Sequence, residues 1–437
     1  MLMYPPLQVE DGAYVFAHFY QKIEIGEIFR AKSGYIPLIS NLIGYLSVRL
    51  PTRLIPYGLS WLPLLITLLA YSLFFSKRYR CLLESDLSRA VVCLLFALAP
   101  LSQFHLLIHT DYSIWNTLVV LILLSSLRLP SRGGWTIPLW LAINLFIWSH
   151  PLSIIILPFQ VLFLVRDKPR RTLYTLTIIN LIAHQLLGVR STHIFADLDL
   201  LGVVLAVFKA MLGTLVIASK IAFRSAFGAP LLGWAAKEMW FLIAYWTVFL
   251  SCITGIVFWK RPQYRLLILS ATYLILSVTF LSVLSRGYQI AGDIANGPRY
   301  AYIQSLAFVA LFVSLADALI HSRISFTQII TPERPSGSGE TDVSSASATR
   351  HRWATGIFAL LILHYYLLNT QYGHYLFFNK QSHSPYVAAH PDNGMIVYRF
   401  FQDLATAEVE NKGRTGIYLV AKKINDWPIE IDTRIPK

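Results

Sequence analysis

Apolar runs of about 20 residues, broken by short polar loops, recur from residue 55 to residue 370, and a helix needs about that many apolar residues to cross a bilayer. The runs do not alternate in polarity, as the strands of an outer-membrane barrel would. The pattern predicts an all-α polytopic membrane protein of about ten transmembrane helices. The clearest span is "IPYGLSWLPLLITLLAYSLFF" (55–75). The others fall at 90–108, 112–127, 135–149, 151–165, 172–189, 238–259, 264–284, 300–320 and 353–370. Ser149-His150-Pro151 separates two of them and reads as a sharp hairpin turn or a kink.

Two stretches break the pattern. In "GYIPLISNLIGYLSVRLP" (34–51), apolar residues at 35, 36, 38, 39, 42, 43 and 46 recur at helical spacing, with Ser40, Asn41 and Ser47 opposite. That spacing predicts an amphipathic helix on the outer face. The apolar stretch 198–222 is long enough to span, but the return through 225–238 is too short for a helix crossing. Residues 190–237 are therefore expected outside or in the interface, with Lys209, Lys220, Arg224, Trp234 and Trp240 at headgroup level.

Residues 1–54 form an outer-face loop with an acidic pair, and 55–370 the bundle. Within it, 322–352 carry the low-complexity "PERPSGSGETDVSSASATRHR", expected to be a disordered cytoplasmic linker. The tail 371–437 predicts one helix and two strands, "GIYLVAKKI" and "WPIEIDTRI". It is a small α+β extracytoplasmic module that packs on the outer loops.

Charge then orients the chain. Only 14% of residues are charged, against about 25% in a soluble domain, yet the net charge is +14. Basic residues collect in "SKRYR" (76–80), "RLPSR" (128–132), "RDKPRR" (166–171), "KRPQYR" (260–265) and around Arg323, Arg350 and Arg352. The alternate connections are "HTD" (109–111), the His150 turn and "SRGYQIAGDIANGPR" (285–299). The positive-inside rule puts the basic set in the cytoplasm and the other set, with Glu10 and Asp11, outside. The charge is thus topological, and nucleic acid is not a partner. Cys81, Cys93 and Cys252 form neither a metal spacing nor a disulfide framework. The opening "MLMYPPLQVED" is too poor in apolar residues for a cleavable signal peptide.

Ionisable groups are nearly absent inside the spans. Asp317 lies near a cytoplasmic end, and His184 is the main mid-segment exception. Ion-coupled transporters carry such groups deep in the membrane. Here the polar groups crowd at the outer ends: Glu10, Asp11, His105, His109, Asp111, His150, Arg286, Asp293 and Arg299. A lipid-linked substrate suits that place, its tail among the helices and its phosphate at the interface. A carboxylate can serve as general base toward a hydroxyl acceptor, and arginine can clamp a phosphate leaving group.

An acidic residue in the first outer loop, an amphipathic helix after it, alternating hairpins and a late outer loop ending in Arg-Tyr together resemble the GT-C superfamily of integral membrane glycosyltransferases. Protein O-mannosyltransferases, lipid A aminoarabinose transferases and bacterial arabinosyltransferases belong to it. The resemblance covers residues from about 8 to 320 as a pattern. It implies transfer of a sugar, with inversion, from a polyprenyl-phosphate donor to a glycan or lipid acceptor. It places the active site on the extracytoplasmic face of a bacterial inner membrane, among membrane lipids.

By position, Asp11 with Glu10 matches the family's first-loop acid, the general base. Asp111 with His109 matches the second acid, which holds the acceptor or an optional divalent metal; no other cofactor is implied. Arg299-Tyr300 in "NGPRYAYI" matches a phosphate-binding arginine, with Arg286 a second candidate, and His150 in "WSHPLS" is a further substrate-binding candidate. The residues alone leave other readings open. Asp11 suits a solvated turn, Asp111 a helix cap, Arg299-Tyr300 an interfacial anchor and His150 a turn. One departure stands out: family members carry a span before the first acid, so that either a start codon lies upstream of the present Met1, the favoured expectation, or this member has lost the helix. The competing functions are a transporter or lipid flippase, an inactive scaffold, and an O-antigen polymerase or ligase using Arg190, His193 and Arg224.

Overall fold

Helices make up most of the described residues. The computed structural model describes residues 15–21, 24–31, 35–83, 85–98, 110, 113–130, 134–188, 200–227, 264–286, 301–321, 356–367, 402, 406, 422–424 and 427–429. In chain order the helices are α1 (Ala17–Gln21), α2 (Leu38–Ser47), α3 (Ile55–Leu73), α4 (Asp86–Leu98), α5 (Ser113–Ser125) and α6 (Thr136–Ile147). They continue with α7 (Leu157–Arg166), α8 (Arg171–Ala183), α9 (Leu200–Phe227), α10 (Tyr264–Arg286), α11 (Tyr302–His321) and α12 (Gly356–Leu367). Short 3-10 helices occupy Ile25–Phe29, Thr52–Leu54, Lys77–Cys81, Pro151–Ile156 and Lys168–Arg170, and a π turn occupies His184–Gly188. The chain divides into two units. The first comprises Met1–Leu73, Gln103–Val203 and Lys380–Lys437, and the second Phe74–Ser102 and Val204–Asn379.

Helix α5 is the centre of the first unit. It is apolar all round, and a helix of that kind is buried on every side. Trp115, Leu118, Val120 and Leu121 are buried, as are the polar Asn116 and Thr117. Asn116 donates to the Thr67 hydroxyl of α3 at 2.8 Å. Pro63 interrupts α3 and has no N–H to give the carbonyl of Leu59. The Thr110 hydroxyl donates to that carbonyl instead, at 2.6 Å. Since residues 59 and 67 meet 110 and 116 in turn, α3 and α5 run side by side in the same direction.

Helices α6 and α8 are joined by a ladder of polar side chains. Trp140 Nε1 donates to Thr177 Oγ1 at 3.0 Å, Asn180 Nδ2 to Asn144 Oδ1 at 2.9 Å, and Trp148 Nε1 to Asn180 Oδ1 at 2.9 Å. The two helices are therefore parallel. Helix α7 pairs Phe163 with Tyr174, and the turn before it pairs Ser153 with His184, so α7 is antiparallel to α8. The chain thus reverses at His150: of the hairpin and the kink, the structure has the reversal. At the opposite end Tyr174 accepts the Leu129 N–H at 3.0 Å and donates to Asp167 at 3.2 Å, and Arg170 reaches Asp167 at 2.6 Å.

Helix α2 departs from expectation. Its polar residues do not face water: Ser40, Asn41 and Ser47 are buried, while the apolar Leu46 is exposed. The reason is the segment before it. Asn41 Nδ2 donates to the carbonyls of Ile28 and Arg30 at 3.0 and 2.9 Å, and Ser40 meets Ser113 of α5 at 2.9 Å. Asn41 satisfies the backbone of a neighbouring turn and Ser40 ties α2 to α5, and that work outweighs a solvent-facing placement.

In the second unit α4 packs on α11 and α11 on α10. Helix α4 starts at Asp86, four residues ahead of the expected span, because the Ser85 hydroxyl caps it by accepting the Ser88 N–H at 3.2 Å. Arg80 hydrogen-bonds Asp86 and holds its carboxyl below the usual carboxylate range. Arg89 is buried, and its guanidinium donates to the Leu83 carbonyl at 2.7 Å and pairs with Asp86. Ser88 donates to the buried Asp317 of α11.

Among the described residues three helical runs are long and apolar enough to cross a membrane: Thr52–Cys81, Leu201–Phe223 and Arg265–Leu284. The second lies in α9, a continuous helix of 28 residues that includes the 198–222 stretch from residue 200. Its exposed Leu201, Val204, Leu205, Phe208, Met211, Leu212 and Leu215 repeat at three- and four-residue spacing, the pattern of a helix with one face toward lipid. The expected span at 238–259 and the linker at 322–352 lie outside the described residues. In the tail, the strands β1 (Lys422–Ile424) and β2 (Trp427–Ile429) pair antiparallel, with Lys423 opposite Pro428.

Candidate functional site

Of the residues picked out by sequence, Glu10, Asp11, His109, Asp111, Arg299 and Tyr300 lie outside the described residues. Arg286 is the last residue of α10, in the second unit. His150 is described in full. Sequence neighbours of both candidate acids are also described, and each set touches α2.

Val15 and Phe19, a few residues past Asp11, are buried against Gly44 of α2. Thr110 and Ser113 flank Asp111. Ser113 Oγ donates to the Thr110 carbonyl at 2.6 Å, which fixes the turn into α5, and contacts Ser40 of α2. The N–H of Leu38, at the start of α2, donates to the Trp148 carbonyl at 3.3 Å. The rings of Tyr35 and Trp115 lie 6.5 and 4.8 Å from the His150 ring. The first turns of α2 and α5 and the reversal at His150 therefore share one end of the first unit.

His150 has extended backbone and caps the 3-10 helix Pro151–Ile156: its Nδ1 accepts the Leu152 N–H at 3.0 Å. A neutral imidazole carries one proton, so with Nδ1 accepting, Nε2 bears the hydrogen. That Nε2–H is buried and has no hydrogen-bond partner among the described residues. His150 lies in the connection between α6 and α7. Burial, with a smaller contribution from His184, lowers its pKa to about 3, so it stays neutral.

His184 opens the π turn at the end of α8. Its Nδ1 lies 3.1 Å from Ser153 Oγ and 3.2 Å from Gln185 Nε2, and Gln185 also donates to the Pro151 carbonyl at 3.1 Å. Nδ1 of His184 thus faces donors, which again places the proton on Nε2. This second Nε2–H is likewise buried without a partner among the described residues, as is the hydroxyl of Ser149.

The chemistry follows from the tautomers. An imidazole whose outward nitrogen carries hydrogen cannot ligate a metal or accept a proton there. A metal-binding histidine would instead donate its other N–H outward. Among the described residues no three His, Cys, Asp or Glu side chains gather as a metal site. What the turn offers is hydrogen-bond donation to oxygen in an aromatic shell formed by Trp115 and Trp148, the latter 5.1 Å from the His184 ring. His150 is thus a turn residue through one nitrogen and an available donor through the other.

Sequence reasoning noted His184 only as a polar exception and Ser149 only as part of a turn, and passed over Ser153 and Gln185. A signal was present: His150 opens the run at 151–165 and His184-Gln185 closes the run at 172–189. Two antiparallel neighbours must bring those positions together. No protein-family model, characterised protein or solved structure matches the chain.

Proposed function

We propose that this chain is an integral membrane glycosyltransferase of the inverting kind, with about ten spans. It moves a sugar from a polyprenyl-phosphate donor to a glycan or lipid acceptor on the outer face. The observation that carries the reading is the meeting of Ser40 of α2, Ser113 and Trp115 of α5 and the His150 reversal at one end of the first unit. Thr110 and Ser113 are the nearest described neighbours of Asp111 in the sequence, and Val15, packed on Gly44 of the same α2, is that of Asp11. The orientation has support from the same unit. Leu129 in the basic loop 128–132 and Asp167 and Arg170 in the loop 166–171 join through Tyr174, at the end opposite His150.

In the proposed reaction Asp11 takes the proton of the acceptor hydroxyl. The freed oxygen attacks the anomeric carbon of the sugar from the face opposite the phosphate. The carbon–oxygen bond to phosphate breaks, its electron pair leaves with the polyprenyl phosphate, and the configuration at that carbon inverts. Asp111 and His109 position the acceptor. The resemblance assigns the charge that grows on the phosphate to Arg299, with Arg286 a second candidate.

The experiment is a transfer assay with the purified protein in liposomes containing polyprenyl-phosphate sugars. Glycosylated acceptor formed together with free polyprenyl phosphate supports the proposal. Movement of the lipid across the bilayer without product would make the chain a flippase. Neither activity from a correctly inserted protein would make it a scaffold.

A further inference from the structure

Three of the seven buried side-chain atoms without a hydrogen-bond partner among the described residues belong to Ser149, His150 and His184. Such atoms are few in native proteins, and each calls for an explanation. Here they share two properties. They border one reversal of the chain, where Ser153 follows His150 in the same 3-10 turn and contacts His184. They also have donor hydrogens to offer: the two imidazoles are held in the tautomer that presents Nε2–H, and the serine hydroxyl can turn to donate.

We infer that this cluster binds the neutral hydroxyl or ring oxygens of a sugar. The two imidazole N–H groups select an acceptor and offer no lone pair to a cation. A phosphate buried against neutral donors would be an anion without a counter-charge, an arrangement that is costly in a protein interior. No lysine or arginine is among the residues that form the cluster. Sugar oxygens ask for neutral donors, and an aromatic shell with a few placed polar groups is the usual make-up of a small-molecule site. The choice of a sugar among neutral polyols rests on the proposed glycosyl transfer; the need for a neutral oxygen acceptor does not.

The substitutions His150→Asn and His184→Asn isolate the donors. Asparagine is a good helix cap, and its carbonyl oxygen can replace Nδ1 as acceptor, while no group replaces Nε2–H. The protein, with 15N-labelled histidine in lipid nanodiscs, is titrated with free hexoses and pentoses and separately with inorganic phosphate. The expected result is sugar-dependent movement of the two imidazole signals, no movement with phosphate, and binding weakened about tenfold by each substitution, as for one lost hydrogen bond.

Sugar affinity unchanged in variants that keep the wild-type melting midpoint would overturn the inference. So would imidazole signals that answer to phosphate alone or to nothing. If the variants do not fold, the signals of the wild-type protein still decide. Sugar binding without transfer in liposomes would keep this inference and remove the enzyme reading. Transfer with silent imidazoles would remove this inference alone.

Discussion

The hydroxyl of Thr110 donates at 2.6 Å to the carbonyl of Leu59, the group that Pro63 leaves without its helical partner. A defect in one helix thus sets the position of the residue next to Asp111. Thr110→Val removes the donor and leaves a buried carbonyl unsatisfied, at a cost of about 1–3 kcal/mol. Glycosyl transfer should fall by about 10–100-fold, the order expected when a reacting group is misplaced. In the background of Pro63→Ala, which restores the N–H, the stability cost of Thr110→Val should shrink. Melting curves of the four proteins in one detergent test the cycle.

Gly44 is where the N-terminal segment seats on α2. A Cβ at that position would lie 2.5 Å from Val15 Cγ1 and 2.7 Å from Phe19 Cδ2. Gly44→Ala should lift the segment and destabilise it by about 1–3 kcal/mol, as overpacking does. Faster proteolysis within residues 1–21, with slower transfer, is the expected readout.

Asn180 bridges α6 and α8 through Trp148 and Asn144. Asn180→Leu should lower stability by about 0.6–2 kcal/mol, the range of polar contacts between membrane helices. In a double-mutant cycle Asn144→Leu should couple to it, whereas Ser88→Ala in the second unit should be additive.

The His150 pKa of about 3 lies far below the unfolded value of about 6.5. The unfolded chain therefore binds the proton first as pH falls. The imidazole's contribution to stability is whole above about pH 6.5 and drains away as pH drops toward 3. The melting midpoint of the wild type should decline over that window more steeply than that of His150→Asn, because asparagine does not titrate.

Much of the helical frame was legible from apolar run length. The run 55–75 became Ile55–Leu73, 112–127 became Ser113–Ser125 and 264–284 became Tyr264–Arg286. Partnership was harder to read. Ser40 and Asn41 looked like a solvent face because their acceptors, near residues 28, 30 and 113, are remote in sequence. The span 55–75 was read straight through Pro63, and nothing local named Thr110 as the partner of the Leu59 carbonyl. His150 could be placed at a turn, but the direction of its nitrogens depends on the Leu152 N–H and so on the 3-10 geometry. The acids at 11 and 111 were found by charge against an apolar background. The partners of Val15, Phe19, Thr110 and Ser113 are remote in sequence and were not legible in it.

The most direct test is the rate of sugar transfer by Asp11→Asn in liposomes, with insertion and melting midpoint measured on the same preparation. With Asp11 as general base, transfer should fall by about 100-fold or more while the protein stays folded and inserted. Transfer at the wild-type rate from that variant would contradict the account.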